Sequence, residues 1–532
     1  MNIGDTAATD ATELTERTRW HRLISPVVLA AIWFTAVYLP VTIAIAARRQ
    51  LWNDELFTYY IARLAPHRDI WNALMAGAAQ NPPLFYILTH YALSSFANDL
   101  LAIRLPEIIG FWLMGVCLIL LISKHAPAGY GLAAGLFTLV TGAYPYAYEA
   151  RPYALVLGFA ALALLCWRNA VGRRAWAFSV GLGIGLALAV SMHYYSVLIF
   201  APIVAGELFR SWQRRNLWTP VWLGIAIGCI PLLLYLPLIR SASSYGATFW
   251  AKATVGSLGA LIWFLMYPAT LPLVAFAISR AFTWLRNMPG ARPKTAAGVY
   301  APMAEVVAVC GYMALPVLAI VLGRAVTGAY THRYAIAAVV GTAVTCAWLL
   351  SSAFGGRTRP ALYVCSLLTV FFLARDGRSA PSTVAAHDGR SHLEFLNSQR
   401  PADTPIAIAD PHLFFELSHQ APPELRRRMF YIADAKLALE HLGTDAVDRS
   451  LVDISPFGQL RIERLESAMR PQRPFLVYGY PGTWVWLVSE LTRSGVPLSI
   501  IGFHENRLLL LVEPRLDSPR SHGSPPATAD RL

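Results

Sequence analysis

The chain has 532 residues, of which 56% are hydrophobic and only 14% charged, with a mean hydropathy of +0.46. Soluble domains are about 45–50% apolar and about 25% charged, so this composition excludes a single soluble globule and calls for a polytopic membrane protein. The formal net charge of +13 does not point to nucleic acid, because the basic residues fall in short clusters between apolar runs, the pattern of cytoplasmic anchors.

Residues 1–23 read as a polar cytoplasmic tail carrying Arg17, Arg19 and Arg22. The first apolar run, "SPVVLAAIWFTAVYLPVTIAIAA", lacks an A-x-A cleavage site and is long enough to span a bilayer. Further spans are predicted at 105–122, 130–148, 153–167, 175–192, 195–209, 218–238, 258–279, 303–323, 334–353 and 360–374, after a first at 24–46. With eleven spans and a cytoplasmic N-terminus, the basic clusters around Lys124, Arg168, Arg210, Arg280–Lys294 and Arg357 all fall on one side. The transmembrane domain is thus 24–374, in an inner (plasma) membrane.

"NPPLFYILTHYALSSF" is too short to cross about 30 Å of hydrocarbon and reads as a helix lying in the outer interface, with Asn81 as N-cap and Pro82 in its first turn. Residues 47–104 then form a large first outer loop with about three short helices. Beyond the last span, 375–390 is a polar linker. Residues 391–514 alternate short apolar strands ("PIAIAD", "RRMFYIAD", "RPFLVYGY", "LSIIGF", "RLLLLVEP") with helical stretches, and 515–532 reads as disordered. The predicted fold class is therefore mainly α: a polytopic transmembrane bundle with interfacial helices and a small C-terminal α/β domain on the periplasmic side. The six cysteines lie inside apolar runs and form no metal-ligand or disulfide pattern.

Polar groups concentrate at the outer turns. Asp54 and Glu55 open the first outer helix, with Asn53 as its cap; Arg104 opens the second span; Tyr148, Glu149, Arg151 and Tyr153 end the third. His193, Tyr194 and Tyr195 follow, then Tyr245, Trp250 and Lys252, then Tyr330, His332, Arg333 and Tyr334. Singly, each has a bland reading. The acids could stabilise a helix N-terminus, the arginines could snorkel to headgroups, His193 could be an interfacial histidine, and the aromatics could be belt residues. Together they place acids and bases at one membrane level, while most span centres carry no charge. That argues against a transporter, which needs ionisable groups near the midplane. It suits a reaction between a lipid-borne substrate and an acceptor at the surface. A carboxylate would take the acceptor's proton and cations would neutralise a phosphate leaving group. A non-catalytic transporter or flippase of a lipid-linked saccharide, or an envelope scaffold, is the alternative. The acids could also hold a divalent metal, although no ligand spacing supports one.

In order, "DE", "NPPLFYIL", "RLPEIIGFWLMG", "YEARPYAL", "HYYSVL" and "HRYAIAA" resemble the polytopic C-type glycosyltransferases, closest in pattern to protein O-mannosyltransferases and bacterial aminoarabinose transferases. The resemblance covers roughly residues 45–340. It implies inverting transfer of a sugar from a polyprenyl-phosphate donor to an envelope glycan, lipid or protein at the periplasmic face, with no nucleic-acid partner. It makes Asp54 the candidate base, with Glu55, the second candidate catalytic acid, and Glu149 helping to order the acceptor or donor sugar. Arg104, Arg151 and Arg333 become candidates for the carrier phosphate and for ordering the acids. Asn81, Tyr153, His193, Tyr194, Lys252 and Tyr334 complete the candidate substrate-binding set. Aminoarabinose transferases carry Lys before the double proline where this chain has Asn81, which argues against that sugar.

Overall fold

Helix α1, Pro26–Ala46, starts where Ser25 caps the Val28 N–H at 3.3 Å and Pro26 takes the first turn. The computed structural model describes residues 25–252, 254, 256–266, 301–470, 473–480, 482 and 484–514. The N-terminal tail, most of the span expected at 258–279, the basic cluster 280–294 and the tail 515–532 lie outside them. The chain divides into two units, Met1–His387 and Asp388–Leu532.

In the first unit α1 is followed by four short helices within residues 47–104: α2, Asn53–Ala62; α3, His67–Met75; α4, Pro83–Ser95; and the single turn Asp99–Ala102. Helix α4 is 13 residues long, short of a crossing, as its sequence suggested. It begins one residue later than expected. Pro82 is extended at the cap and Pro83 starts the helix, so Asn81 precedes the cap. Asn53 likewise lies inside α2 and Trp52 is the cap. Four apolar helices follow: α5, Leu105–Ile122; α6, Ala128–Leu139; α7, Tyr153–Asn169; and α8, Ala175–Met192.

Helices α5 and α7 pack backbone to backbone. A Cβ on Gly158 would collide with the carbonyl of Gly110, and one on Gly110 would lie 2.7 Å from the backbone of Leu155. Such small-residue crossings replace the hydrophobic drive that lipid cannot supply. Buried tyrosines bond to helix carbonyls, Tyr38 to Ile108 at 2.9 Å and Tyr312 to Ala160 at 3.0 Å.

Four helices of the described residues are long and apolar enough to cross a membrane, or up to six if each bent pair is one span. Apart from 258–279, most of which lies outside the described residues, the other expected spans appear as shorter or broken helices. The segment 218–238 breaks at Pro231 and Pro237 and bends by 58°, and 303–323 breaks at Pro316 and bends by 48°. Proline removes a backbone donor and clashes with the preceding turn, and neighbouring helices can re-satisfy the freed groups. The last helix of the first unit, Thr358–Ala385, takes in residues 375–385 of the stretch read as linker. A polar helix and a polar coil share a composition, so the sequence did not separate them.

The second unit carries a six-stranded sheet of order β3-β2-β1-β4-β6-β5. Its strands are β1, Ile406–Ile408; β2, Met429–Ile432; β3, Ile462–Glu463; β4, Phe475–Gly479; β5, Leu498–His504; and β6, Arg507–Val512. Strands β1–β4 pair in parallel, and β6 runs antiparallel between β4 and β5. Every residue of β1, β2 and β4 is buried, as in parallel strands covered on both faces. The two-residue β3 had no pattern to reveal it. Within this core Asp448 accepts from the Tyr431 hydroxyl at 2.6 Å, the Trp486 indole at 3.0 Å and the Asp434 N–H at 3.0 Å.

Candidate active site

Glu55 and Arg104, both read as site residues, have no side-chain exposure at all. The guanidinium holds the carboxylate in two bonds, Nε to Oε1 at 2.7 Å and Nη2 to Oε2 at 2.6 Å. Its remaining donors reach the carbonyls of Ala46 at 2.8 Å, Arg49 at 2.7 Å and Gln50 at 3.2 Å. Arg104 therefore satisfies acceptors at the C-terminus of α1 while anchoring α2. Burial alone would raise the Glu55 carboxyl, but Arg104 outweighs it and holds the group below its ordinary range. From the other side, Glu55 accepts the Ala150 N–H at 2.7 Å, and Thr58 donates to the Ala150 carbonyl at 2.9 Å. Helix α2 thus grips both backbone groups of Ala150, and so fixes Glu149 and Arg151 on either side of it.

Asp54, one residue before Glu55, faces the half-buried cluster this creates. Its Oδ2 lies 3.0 Å from Arg333 Nη1 and 3.5 Å from Arg151 Nη2, and Arg151 also donates to the Asp54 carbonyl at 3.3 Å. Tyr153 lies beneath both guanidinium groups, 6.0 Å from Arg151 and 5.6 Å from Arg333. His193 packs 5.4 Å from Tyr153 and 5.0 Å from Tyr334, and Tyr334 stacks on Tyr195 at 4.4 Å. Burial, with Arg151 and Arg333 nearby, lowers the His193 imidazole to about 3, so it is neutral and accepts the Tyr195 N–H at 3.2 Å.

Glu149 pairs with Arg49 at 3.4 Å, and the Arg49 guanidinium lies 5.8 Å from the Tyr148 ring. Burial is the largest influence on Glu149 and pushes its carboxyl up to about 7, against the pull of Arg49. A folded-state value above the ordinary one means the folded protein holds this proton more tightly. Glu149 is charged above about pH 7 and increasingly neutral below it. A pH–rate profile is therefore expected to show a limb near pH 7 that disappears in Glu149→Gln; an identical limb in that variant would assign it elsewhere.

Three arginines, Arg49, Arg151 and Arg333, thus surround two carboxylates, Asp54 and Glu149, and leave at least one unit of positive charge. The Nε atoms of all three are buried without a hydrogen-bond partner among the described residues. Such a cluster can hold an anion. The same guanidinium groups work against a divalent cation on Asp54 or Glu149, so the residues present do not fit the metal that paired acids suggested.

One expected residue falls elsewhere. Lys252 donates to the carbonyls of Gly246 at 2.9 Å, Ala247 at 2.8 Å and Gly328 at 3.4 Å, tying its own loop together. Its backbone-directed geometry predicts that Lys252→Met loosens that loop and leaves the affinity for a lipid phosphate within about twofold, as a binding titration would show; a large loss would return Lys252 to the anion site. Asn81 is buried beside Tyr86, and Tyr194 lies near Tyr86 and Tyr235.

Three residues escaped the sequence reading. Arg49 follows the first apolar run and Tyr86 lies inside "NPPLFYIL", and neither was singled out. The Tyr86 hydroxyl is buried near Arg151 and Asp54, and burial pushes it up to about 12, so it stays a neutral donor. Glu107, inside α5, accepts the Leu155 N–H at 3.2 Å and so satisfies a first-turn donor of α7. At another place in the bundle, residues read as solitary basic anchors are paired. Glu305 binds Arg168 at 3.0 Å and His125 at 3.1 Å, and Glu207 binds Arg210 and the Trp167 indole.

The first unit is a mainly helical bundle with charged side chains gathered at the helix ends. Among solved structures the chain is similar to ArnT from Cupriavidus metallidurans in the apo state, with a TM-score of 0.56 at 13% identity over 90% of this chain and 97% of that one. It is similar to the same protein bound to undecaprenyl phosphate, with a TM-score of 0.54 at 13% identity and the same coverage, 90% and 97%. The Archaeoglobus fulgidus oligosaccharyltransferase in complex with Zn and sulfate aligns at a TM-score of 0.40 and 15% identity, over 76% of this chain and 62% of that one. At the level of sequence no family model and no curated protein matches. The fold is that of ArnT.

Proposed function

We propose that the chain is an inverting membrane glycosyltransferase that moves a sugar from a polyprenyl-phosphate carrier to a cell-envelope acceptor at the periplasmic face. In this reading it crosses the inner membrane about eleven times, with the N-terminus cytoplasmic and the second unit periplasmic. The observation that carries it is the placement of Asp54 Oδ2 between Arg333 and Arg151, 3.0 and 3.5 Å away, in a partly buried cluster with surplus positive charge.

The acceptor hydroxyl gives its proton to Asp54 as its oxygen attacks the anomeric carbon. The bond from that carbon to the phosphate oxygen breaks on the opposite face, and the electron pair leaves on the phosphate. Arg151, Arg333 and Arg49 stabilise that charge as it develops. The same guanidinium groups pair with Asp54 before the donor arrives. A bound phosphate competes for them and loosens their hold on the carboxylate, so Asp54 becomes a stronger base only in the donor complex. Glu55 and Arg104 act as positioning residues, Arg104 ordering the acid rather than holding the phosphate. Glu149 orders a substrate hydroxyl, and Tyr153, His193, Tyr194, Tyr334 and Asn81 form the walls.

Mass spectrometry of envelope glycans and lipids from a deletion strain tests this reading. One sugar substituent is expected to disappear and to identify donor sugar and acceptor together; an unchanged envelope would contradict the proposal.

A further inference from the structure

Far along the sequence from these acids, the second unit brings together a group of a different kind. Helix Arg390–Ser398 presents His392, and the hairpin joining β5 to β6 presents His504 and Glu505. His392 Nε2 lies 3.2 Å from Glu505 Oε2, and His504 Nε2 lies 3.8 Å from Glu505 Oε1. One ligand atom from each residue falls within 4.8 Å of the others. We propose that His392, His504 and Glu505 bind a divalent metal ion of borderline softness, zinc in the first instance.

The spacing suits the ion. Zinc bonds of about 2.0–2.1 Å at a tetrahedral angle put neighbouring ligand atoms about 3.4 Å apart, so small side-chain rotations close the set. Two imidazoles and one carboxylate are a zinc donor set that leaves a fourth position for water or another oxygen ligand. The site is reachable, with side-chain exposures of 11% for His392, 24% for His504 and 48% for Glu505.

Its surroundings are ordered for ligation. The Tyr478 hydroxyl lies 2.8 Å from His392 Nδ1, which directs Nε2 toward the ion, the arrangement outer partners give metal-bound histidines. Phe395 stacks on His504 at 4.7 Å, with planes 9° apart, and fixes that ring. Ser391 Oγ lies 2.9 Å from His504 Nε2 and 3.2 Å from Glu505 Oε1, inside the same cluster.

The backbone supplies an independent sign. His504 pairs with Arg507 across a two-residue turn, and Glu505 stands in it with φ of 51°. That conformation favours Gly or Asn and is strained for a Glu. From this turn the Glu505 carboxylate reaches both histidines.

The test uses the full chain in detergent, stripped with chelator, equilibrated with Zn²⁺ alone and desalted. Elemental analysis is expected to find one zinc per chain, retained in Asp54→Asn and lost in His392→Ala, His504→Ala and Glu505→Gly. Glycine relieves the strained turn, so Glu505→Gly is expected to fold at least as well as the parent without zinc while losing the zinc-induced rise in Tm. Tyr478→Phe is expected to weaken zinc binding about 10–100-fold. Absence of stoichiometric zinc, or equal retention by Glu505→Gly and His504→Ala, would overturn the site and leave an ordinary His–Glu ion pair.

Discussion

Replacing Asp54 by Asn is expected to lower the rate of sugar transfer by about 10²–10⁴-fold, the usual weight of a positioned general base, while the protein folds and inserts normally. The substitution keeps the size of the side chain and an oxygen that Arg333 can still reach from 3.0 Å. It removes only the charge and the ability to take a proton. Donor binding is expected to respond in the opposite direction. With Asp54 neutralised, Arg151 and Arg333 lose a competitor for the phosphate, so the Kd for a polyprenyl phosphate should fall while kcat collapses. A structural carboxylate would not give that split. Loss of donor affinity together with rate, or a melting temperature well below the parent's, would assign Asp54 to the scaffold.

The second large effect is expected at the buried pair. Arg104→Met alone leaves the Glu55 carboxylate in a site with no exposure, and Glu55→Gln alone leaves the guanidinium there. Breaking such a pair costs about 3–5 kcal/mol, because the remaining charge is neither hydrated nor paired. The double variant Glu55→Gln/Arg104→Met should recover part of that loss. Full recovery is not expected, since the carbonyls of Ala46, Arg49 and Gln50 all lose the Arg104 donors in that variant. Thermal unfolding in detergent measures the three variants together. Single variants as stable as the parent would show that α2 is held by something other than this clamp.

Much of this arrangement was legible in the sequence. Long apolar runs locate helices because lipid demands about 20 apolar residues and satisfied backbones. The long segment 47–104 with its short helices, about three expected against four observed, and five of the six strands could be read from pattern and proline placement. Asp54, Arg151 and Arg333 could be singled out because charge at a membrane edge needs a reason. What pattern does not encode is the direction in which a side chain points. Asp54 and Glu55 are adjacent, yet successive residues of a helix face different ways. One looks into the cluster and the other into the clamp. Lys252 matched Arg333 in charge and side, but backbone carbonyls next to it take its donors. Arg49 carries no signal apart from its place after α1, and only the fold brings it to Glu149. The His392, His504 and Glu505 group was illegible because its members come from opposite ends of the second unit.

The most direct measurement of the central claim is mass spectrometry of the envelope from the deletion strain carrying either the parent gene or the Asp54→Asn variant at equal membrane abundance. The account predicts that the parent restores the missing sugar substituent and the variant does not. Restoration by the variant to the parent's level would contradict it.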